Sequence, residues 1–395
     1  MVSLLLGLLP SICCASNQDI DKELNPIINQ YSFSIATWEI KAIAQSLGQH
    51  IRSSDKDISG REDLVAKYLT LRDHIKALNA ATNATNMEKL QPEINDLERQ
   101  QETLASSVEK IIDQQIREAL EEQGIYQPWY KDIGLKINFP QVDIKVETPP
   151  HLLVISPRNK IETIKTVLLN EDLSLDSMNA IEANADKLNV SSLVVDLGGL
   201  GTYPSIVASD ADLHFILETA AHEWTHEYLA FKPLGFLYLL EIAGIVHNPD
   251  IVTMNETVAD TVGKEIGEIV YQKYYAGVET NSPRSVSDPA FDFDHEMRDI
   301  RKSVDQYLAR GEVDTAENFM REKRDFLATK GYYIRKLNQA YFAFNGEYAD
   351  RTAFISPIGM ELNDLRTKSF SLEDFLNTAA SMTSWQDLKL ALDQR

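Results

Sequence analysis

The sequence predicts a predominantly helical α+β protein with a small mixed sheet and an N-terminal helical hairpin. Three observations predict this fold class. Long stretches towards both ends of the chain repeat apolar residues at helical spacing, and residues 127–210 contain short apolar or alternating runs that are typical of strands. The content of 44% hydrophobic and 25% charged residues is that of a globular protein. A chain of 395 residues is long enough for two or three packed units.

We expect four regions along the chain. Residues 1–17 are an N-terminal signal peptide or anchor, and residues 18–125 are a helical region with a coiled-coil-like hairpin. Residues 126–210 form a small mixed α/β subdomain with an edge strand. Residues 211–395 form a helical subdomain that carries the candidate site described below.

The hairpin is predicted from two apolar series separated by the polar break NAATNATN at residues 79–86. Apolar residues recur at spacings of three and four in both series, which is the pattern of two helices that pack along one seam. The members are Leu64, Tyr68, Leu71, Ile75 and Leu78, and then Leu90, Ile94, Leu97, Leu104, Val108 and Ile111. Packing against the rest of the protein, partner binding and covering a cleft are all compatible with this hairpin.

Four segments between residues 127 and 210 read as strands, and one reads as a helix. The strand segments are FPQVDIKVETPP, HLLVISP, SSLVVDLGG and TYPSIVAS. We expect the last to be an edge strand, because Pro204 cannot donate a ladder hydrogen bond. The helical segment is NKIETIKTVLL at residues 159–169.

The charge and the N-terminus limit the partners and the location. A net charge of −22 repels nucleic acid and anionic lipid surfaces, so we expect no nucleic-acid partner. The apolar run from Val2 to Leu9 resembles the core of a secretory signal, although no basic residue precedes it. We therefore expect an extracytoplasmic protein, secreted or tethered to a membrane; a buried N-terminal strand or helix is the alternative. The two cysteines, Cys13 and Cys14, lie in this segment, so its removal leaves no thiolate ligand for a metal.

A second apolar stretch, YLAFKPLGFLYLLEIAGIV, occupies residues 228–246. Lys232 and Glu241 interrupt it with charge, and Pro233 and Gly235 break its helical continuity. We expect buried core rather than a membrane span.

Residues 218–228 read ETAAHEWTHEY and suggest a metal site. On a helix, His222 and His226 project from one face and can hold one ion together. Glu223 lies beside the first histidine, where a general base is needed. Asp210 is the expected N-cap of this helix. Chance occurrence of the pattern is the alternative.

A second segment, TMNETVADTVGKEIG at residues 253–267, supplies further candidates. Glu256 is placed to reach the metal from a second helix. Asp260, four residues later, is placed to accept a hydrogen bond from the second ring nitrogen of His222 and so to fix its tautomer. A solvated acidic face of an acidic protein is the alternative for this pair.

The two motifs together resemble those of the gluzincin group of zinc metallopeptidases, whose pattern is HExxH followed by a glutamate in an NExxxD context. The resemblance covers about residues 211–265. It implies a zincin-like catalytic core that binds one Zn²⁺ through His222, His226 and Glu256, with Glu223 as base and Asp260 behind a ligand. The interval before Glu256 is longer than in thermolysin-like enzymes, and the Gly-Ala-Met-Glu-Asn type of motif is absent before the site. The subfamily therefore stays unassigned, and endopeptidase and aminopeptidase stay open.

The expected function is hydrolysis of peptide bonds in a peptide or protein by a zinc-activated water, with Glu223 as general base. The alternative is a non-catalytic or latent zincin-fold interaction or scaffold protein. Candidates for stabilising the oxyanion are tyrosines in the aromatic segment at residues 331–348, namely Tyr332, Tyr333, Tyr341 and Tyr348. The strand GTYPSIV, with Tyr203, is the candidate for pairing with an extended substrate.

Overall fold

The computed structural model describes residues 18–35, 38, 62–81, 87–125, 140–243, 245–246, 248–277, 291–345 and 357–395. The prediction for the N-terminal segment 1–17 lies outside these residues. The described chain is mostly helical with two small sheets, so the predicted α+β class with a helical majority is confirmed.

The helices before the candidate site are α1 (Gln18–Ile28), α2 (Glu62–Ala81), α3 (Met87–Glu122) and α4 (Leu175–Asp186). The helices from the site onward are α5 (Leu213–Leu229), α6 (Pro233–Ile242), α7 (Pro249–Tyr274), α8 (Phe293–Ala309), α9 (Val313–Thr329), α10 (Gln339–Asn345), α11 (Ile358–Lys368), α12 (Leu372–Ala380) and α13 (Trp385–Asp393). The strands are β1 (Ile144–Glu147), β2 (His151–Pro157), β3 (Lys165–Leu169), β4 (Val190–Asp196), β5 (Gly199–Leu200) and β6 (Ser205–Ala208).

Helices α2 and α3 form the predicted hairpin. Val65 and Tyr68 near the start of α2 belong to the same buried cluster as Ile112 towards the end of α3. His74 further along α2 lies 3.8 Å from Glu93 near the start of α3. The two helices therefore run antiparallel, and their apolar seam joins the main core of the protein. Helix α1 does not join this hairpin, because its buried residues pack elsewhere.

The first sheet has the order β3–β2–β4 and is antiparallel throughout. Strand β3 occupies part of the segment that was predicted to be helical, so that prediction is wrong for residues 165–169. One face of the sheet packs against α1 and α4 through Leu153 and Ile155, with Leu24 and Ile181 opposite. The other face packs Val154 and Leu193 against α10.

The second sheet has the order β1–β6–β5, with β6 parallel to β1 and antiparallel to β5. The TYPSIVAS segment therefore forms the central strand, and the prediction that it lies at an edge is wrong. Pro204 precedes the first strand residue, Ser205, so it removes no bond from the ladder. The two-residue strand β5 is the edge that faces the candidate site.

The other edge of this sheet, β1, is covered by the hairpin. The amide of Ile144 donates to Oδ1 of Asp113 at 3.1 Å, and the amide of Val146 donates to Oε1 of Glu109 at 3.1 Å. Both acceptors lie on α3, four residues apart. Lys145 pairs with the same Glu109 at 2.7 Å. The hairpin thus lies against β1, the edge opposite to β5.

The helical region after residue 211 divides between two packing units. Helices α5, α7, α11, α12 and α13 build the main core together with the hairpin. Helices α8, α9 and α10 build a separate cluster around Met297, Val304 and Met320. This second group is joined to the first sheet by Arg158, which binds Glu317 through two hydrogen bonds of 2.7 Å.

The apolar segment at residues 228–246 is only partly buried, so the prediction of a buried core holds for one side of α6. Leu234 and Gly235 are buried. Phe236 is 57% exposed, Ile242 52% and Ile245 47%. The predicted break in helical continuity is present, because α5 ends at Leu229 and α6 begins with Pro233 at its first position, whereas Gly235 lies inside α6. Among the residues described, none of the helices combines the length and apolar character needed to cross a membrane.

Candidate metal centre

Helix α5 carries both histidines of the first motif. It begins at Leu213, and its N-cap is Asp212, whose side chain accepts a hydrogen bond from the amide of Phe215 at 2.9 Å. The predicted cap, Asp210, is wrong by two residues; Asp210 is exposed and its carbonyl accepts a hydrogen bond from Lys76 instead. Between the histidines, Trp224 is buried and donates to the carbonyl of Pro140 at 2.9 Å, which fixes the helix against the chain before β1.

Helix α7 approaches α5 closely because it has glycines at the crossing. A Cβ added to Gly263 would lie 2.8 Å from the carbonyl oxygen of Glu218 and 3.0 Å from Cβ of His222. A Cβ added to Gly267 would lie 2.8 Å from Cγ of Glu218. The backbones therefore meet with no side chain between them, and the acidic residues one and two turns earlier on α7 face the histidines.

The structure brings His222, His226 and Glu256 together. Their candidate ligand atoms all lie within 4.8 Å of one another. Nε2 of His222 is 3.0 Å from Nε2 of His226, and Oε2 of Glu256 is 3.6 Å and 3.5 Å from these two nitrogens. A tetrahedral zinc ion with bonds near 2 Å separates its ligand atoms by about 3.3 Å. The three observed separations bracket this value.

Oε2 of Glu256 is buried, and no described residue forms a hydrogen bond with it. Glu256 itself is 4% exposed. A buried carboxylate oxygen without a donor carries a substantial desolvation cost, which coordination of a cation removes. The donor set of two imidazoles and one carboxylate is a set that zinc takes in proteins. The residues therefore fit a zinc ion.

The other polar atom of each ligand is held by a neighbour. Nδ1 of His222 is 2.9 Å from Oδ1 of Asp260, the residue predicted for this position. Nδ1 of His226 is 2.6 Å from Oδ1 of Asn255. The hydroxyl of Tyr238 donates to Oε1 of Glu256 at 2.7 Å. The ring of Tyr238 also stacks on His226, with an interplanar angle of 8°. Such partners orient metal ligands and fix histidine tautomers.

The buried histidines and carboxylates at the site shift one another's pKa values. Burial raises the pKa of Glu256, but the charges of His226 and His222 outweigh burial and hold it well below its usual range. Burial lowers the pKa of His222, but the neighbouring carboxylates of Asp260 and Glu256 outweigh this effect, so the pKa lies well above its usual value. The site therefore stabilises positive charge between its imidazoles and Glu256.

Glu223 projects from the same helix and is 8% exposed. Burial raises the pKa of its carboxyl, and the nearby histidines partly offset this effect. Among the described residues, no donor forms a hydrogen bond with its carboxylate. It lies beside the β5 edge, where a Cβ on Gly199 would come within 2.7 Å of Oε1 and a Cβ on Gly201 within 3.1 Å of Oε2.

The tyrosines predicted as oxyanion candidates are placed elsewhere or lie outside the described residues. Tyr332 stacks on Phe293 in the α8–α10 cluster, where Tyr341 also packs. Tyr333 is 86% exposed. Tyr348 lies outside the described residues. The structure instead places Tyr238 at the ligands.

Tyr203 is half-buried near the carboxylates of Asp143, Glu227 and Asp113. Burial raises its pKa to about 12, with the charges of Asp143 and Glu227 adding to the effect.

Sequence reasoning missed Tyr238 as a residue of the site, because nothing in its spacing from the two motifs indicates contact. Asn255 directly precedes Glu256 in the second motif, and its position there was the available signal.

In comparisons with known proteins, no family model, curated sequence or solved structure matches this chain. The class of site is therefore argued from the motifs and the geometry alone.

Proposed function

We propose that this chain is a zinc-dependent metallopeptidase with a zincin-like catalytic core of the gluzincin type. The observation that carries the proposal is the convergence of three ligand atoms from α5 and α7 at separations near 3.3 Å, the distance expected around tetrahedral zinc. Two motifs separated by some thirty residues in sequence meet at one point, which chance occurrence of either motif does not explain.

The proposed zinc ligands are Nε2 of His222, Nε2 of His226 and Oε2 of Glu256. Bound there, zinc supplies a Lewis acid that lowers the pKa of water and polarises a carbonyl group. Asp260 accepts the proton that His222 carries at Nδ1, and Oδ1 of Asn255 does the same for His226. With its proton on Nδ1, each histidine leaves an Nε2 lone pair free to bind the ion beside Oε2 of Glu256.

Glu223 is the proposed general base. Its carboxylate lies on the helix between the two ligand histidines, and its oxygens are not committed to any described donor. A base of this kind accepts a proton from the attacking water and passes it to the leaving amine. Burial raises the pKa of Glu223, which makes its carboxylate a stronger proton acceptor.

The proposed substrate is an extended peptide or protein segment lying along β5. The amide of Ala208 donates to the carbonyl of Gly198 at 2.9 Å, so alternation along the ladder turns the polar backbone groups of Gly199 away from β6. A peptide strand pairing at this edge would run directly past Glu223. The predicted pairing strand, GTYPSIV, is the inner neighbour of the strand that offers this edge.

A non-catalytic or latent interaction protein is the alternative, but no described contact closes the β5 edge. The hairpin, which was one candidate for a cover, packs against β1 instead. An extracytoplasmic location, secreted or with a possible tether, is proposed on the apolar run before Pro10 alone. The charge of −22 supports a partner other than nucleic acid.

The test combines zinc content with cleavage of a diverse peptide mixture, read by mass spectrometry. Wild type should bind one zinc per chain and cleave, and Glu223→Gln should keep the zinc and lose cleavage by at least about a hundredfold. Glu218→Gln, one turn earlier on the same helix, is the matched control and should cleave normally. Cut positions separate aminopeptidase from endopeptidase. Zinc binding without cleavage in the wild type would support the scaffold alternative, and cleavage that persists in Glu223→Gln would refute the mechanism.

A further inference from the structure

The run Gly198-Gly199-Leu200-Gly201 has no place in the metal site, yet two of its glycines lie against Glu223. Gly199 belongs to β5, and Gly201 follows it directly. A side chain on Gly199 would first meet Cγ2 of Thr219 at 2.5 Å and then Oε1 of Glu223 at 2.7 Å. A side chain on Gly201 would meet Oε2 of Glu223 at 3.1 Å.

Backbone conformation does not explain these glycines. The described glycines with positive φ are Gly124, Gly311 and Gly331, so Gly199 and Gly201 adopt conformations that other residues adopt without strain. What the two positions require is space, because each one faces a different oxygen of the same carboxylate.

We infer that Gly199 and Gly201 are positioning residues for Glu223: because neither carries a side chain, each leaves the space that one oxygen of its carboxylate occupies. The inference rests on the proposed function of Glu223 as a base. A carboxylate can be held by donors or by shape. Donors would occupy its lone pairs and stabilise its charged form, whereas a space shaped by two glycines accommodates the carboxylate and leaves both oxygens able to accept a proton.

Gly201→Ala is the sharper substitution. Its Cβ meets the end of the Glu223 side chain at 3.1 Å, and its next neighbour, Cβ of His226, is at an ordinary 3.8 Å. The carboxylate is therefore the group that must move. Displacing a reacting group by a fraction of an ångström lowers turnover by about tenfold to a hundredfold. KM and bound zinc should stay unchanged, because neither the substrate edge nor the ligand atoms are touched.

Gly199→Ala carries a second clash, and this allows two effects to be separated. Its Cβ would also lie 2.5 Å from Cγ2 of Thr219 and 3.0 Å from the carbonyl oxygen of Ile206. We therefore expect this variant to lose stability as well. Adding Thr219→Ser removes the Cγ2 atom and should restore part of the thermal midpoint. It should not restore turnover, because the contact with Glu223 remains.

The experiment measures kcat, KM, zinc content and thermal midpoint for these variants, with Gly277→Ala as control. A Cβ on Gly277 meets no described atom within 4 Å. Crystal structures of wild type and Gly201→Ala then locate the carboxylate, a readout that needs no activity. A displaced carboxylate with reduced kcat and normal zinc supports the inference.

An unmoved carboxylate, or a kcat equal to that of Gly277→Ala, would overturn the inference. A wild type that binds zinc and cleaves nothing defeats the proposed function instead. In that case the displacement in the crystal still decides whether the two glycines position Glu223.

Discussion

Gly263 is a residue at which the α5–α7 crossing leaves no room for added volume, and Gly263→Ala tests whether that crossing assembles the candidate metal site. The added Cβ would lie 2.8 Å from the carbonyl oxygen of Glu218 and 3.0 Å from Cβ of His222, where ordinary contact begins at 3.4 Å. The first of these atoms is backbone inside a helix, so it cannot rotate away. The two helices must then separate locally by roughly half an ångström.

Two consequences follow, one for stability and one for metal binding. Overpacking of this kind costs about 1–3 kcal/mol, partly offset by up to ~1 kcal/mol from the better helix propensity of alanine. This local separation of the helices would move His222 on α5 away from two carboxylates on α7. Its Nε2 now lies 3.6 Å from Oε2 of Glu256, and its Nδ1 lies 2.9 Å from Oδ1 of Asp260. We expect zinc affinity to fall about 10- to 100-fold, as it does when the support of a ligand is lost.

The assays are urea unfolding of the metal-free protein and competition with a chromogenic chelator for zinc. Gly277→Ala again serves as the control, since its added Cβ lies within 4 Å of no described atom. If Gly263→Ala matched this control in both stability and zinc affinity, the close crossing would not be what assembles the ligands, and the packing argument would be refuted.

Two further predictions concern carboxylates. Asp260→Asn should lower zinc affinity about 10- to 100-fold without a large change in stability, because it weakens the acceptor 2.9 Å from His222; chelator competition measures this. Asp113 gives a pH effect of defined sign: burial, helped by Asp143 and Glu109, raises its folded pKa well above the usual value. The folded state therefore keeps this proton to higher pH than the unfolded state does. The contribution of Asp113 to the free energy of unfolding is complete below about pH 4, and it is lost as pH rises towards the folded pKa, by up to ~1.4 kcal/mol per pH unit. Asp113→Asn should flatten that decline in urea midpoints compared between about pH 5 and pH 8, and an unchanged slope would contradict the assignment.

The part of the site that repeats at helical spacing could be predicted from the sequence. His222 and His226, and Glu256 and Asp260, are pairs four residues apart, so each pair needs only one helix to share a face. The crossing of the two helices at Gly263 depends on tertiary packing, so it cannot be predicted from the spacing of residues in the chain. Tyr238 was missed for the same reason, since it reaches Glu256 through the packing of α6.

The wrong predictions have local physical causes. Residues 159–169 have apolar positions that suit a helix, but Thr166 and Val167 are β-branched and pair with β2, and tertiary pairing overrode the periodicity. Pro204 marks the residue before a strand as well as an edge strand. The apolar segment around α6 cannot be buried all round, because its tight connection to α5 presses only the Leu234 and Gly235 side into the core. In the aromatic segment after residue 331, Tyr332 and Tyr341 pack in the α8–α10 cluster, as aromatic side chains commonly do.

The hydrogen bonds from β1 to α3 bear on how separate copies of this protein behave towards each other. A sheet grows when a strand from another molecule adds to exposed amide groups at its edge. At β1 the amides of Ile144 and Val146 are already occupied by Asp113 and Glu109. At the opposite edge, β5 is only two residues long. Neither edge of this sheet therefore offers a long template for a strand from another copy of the protein.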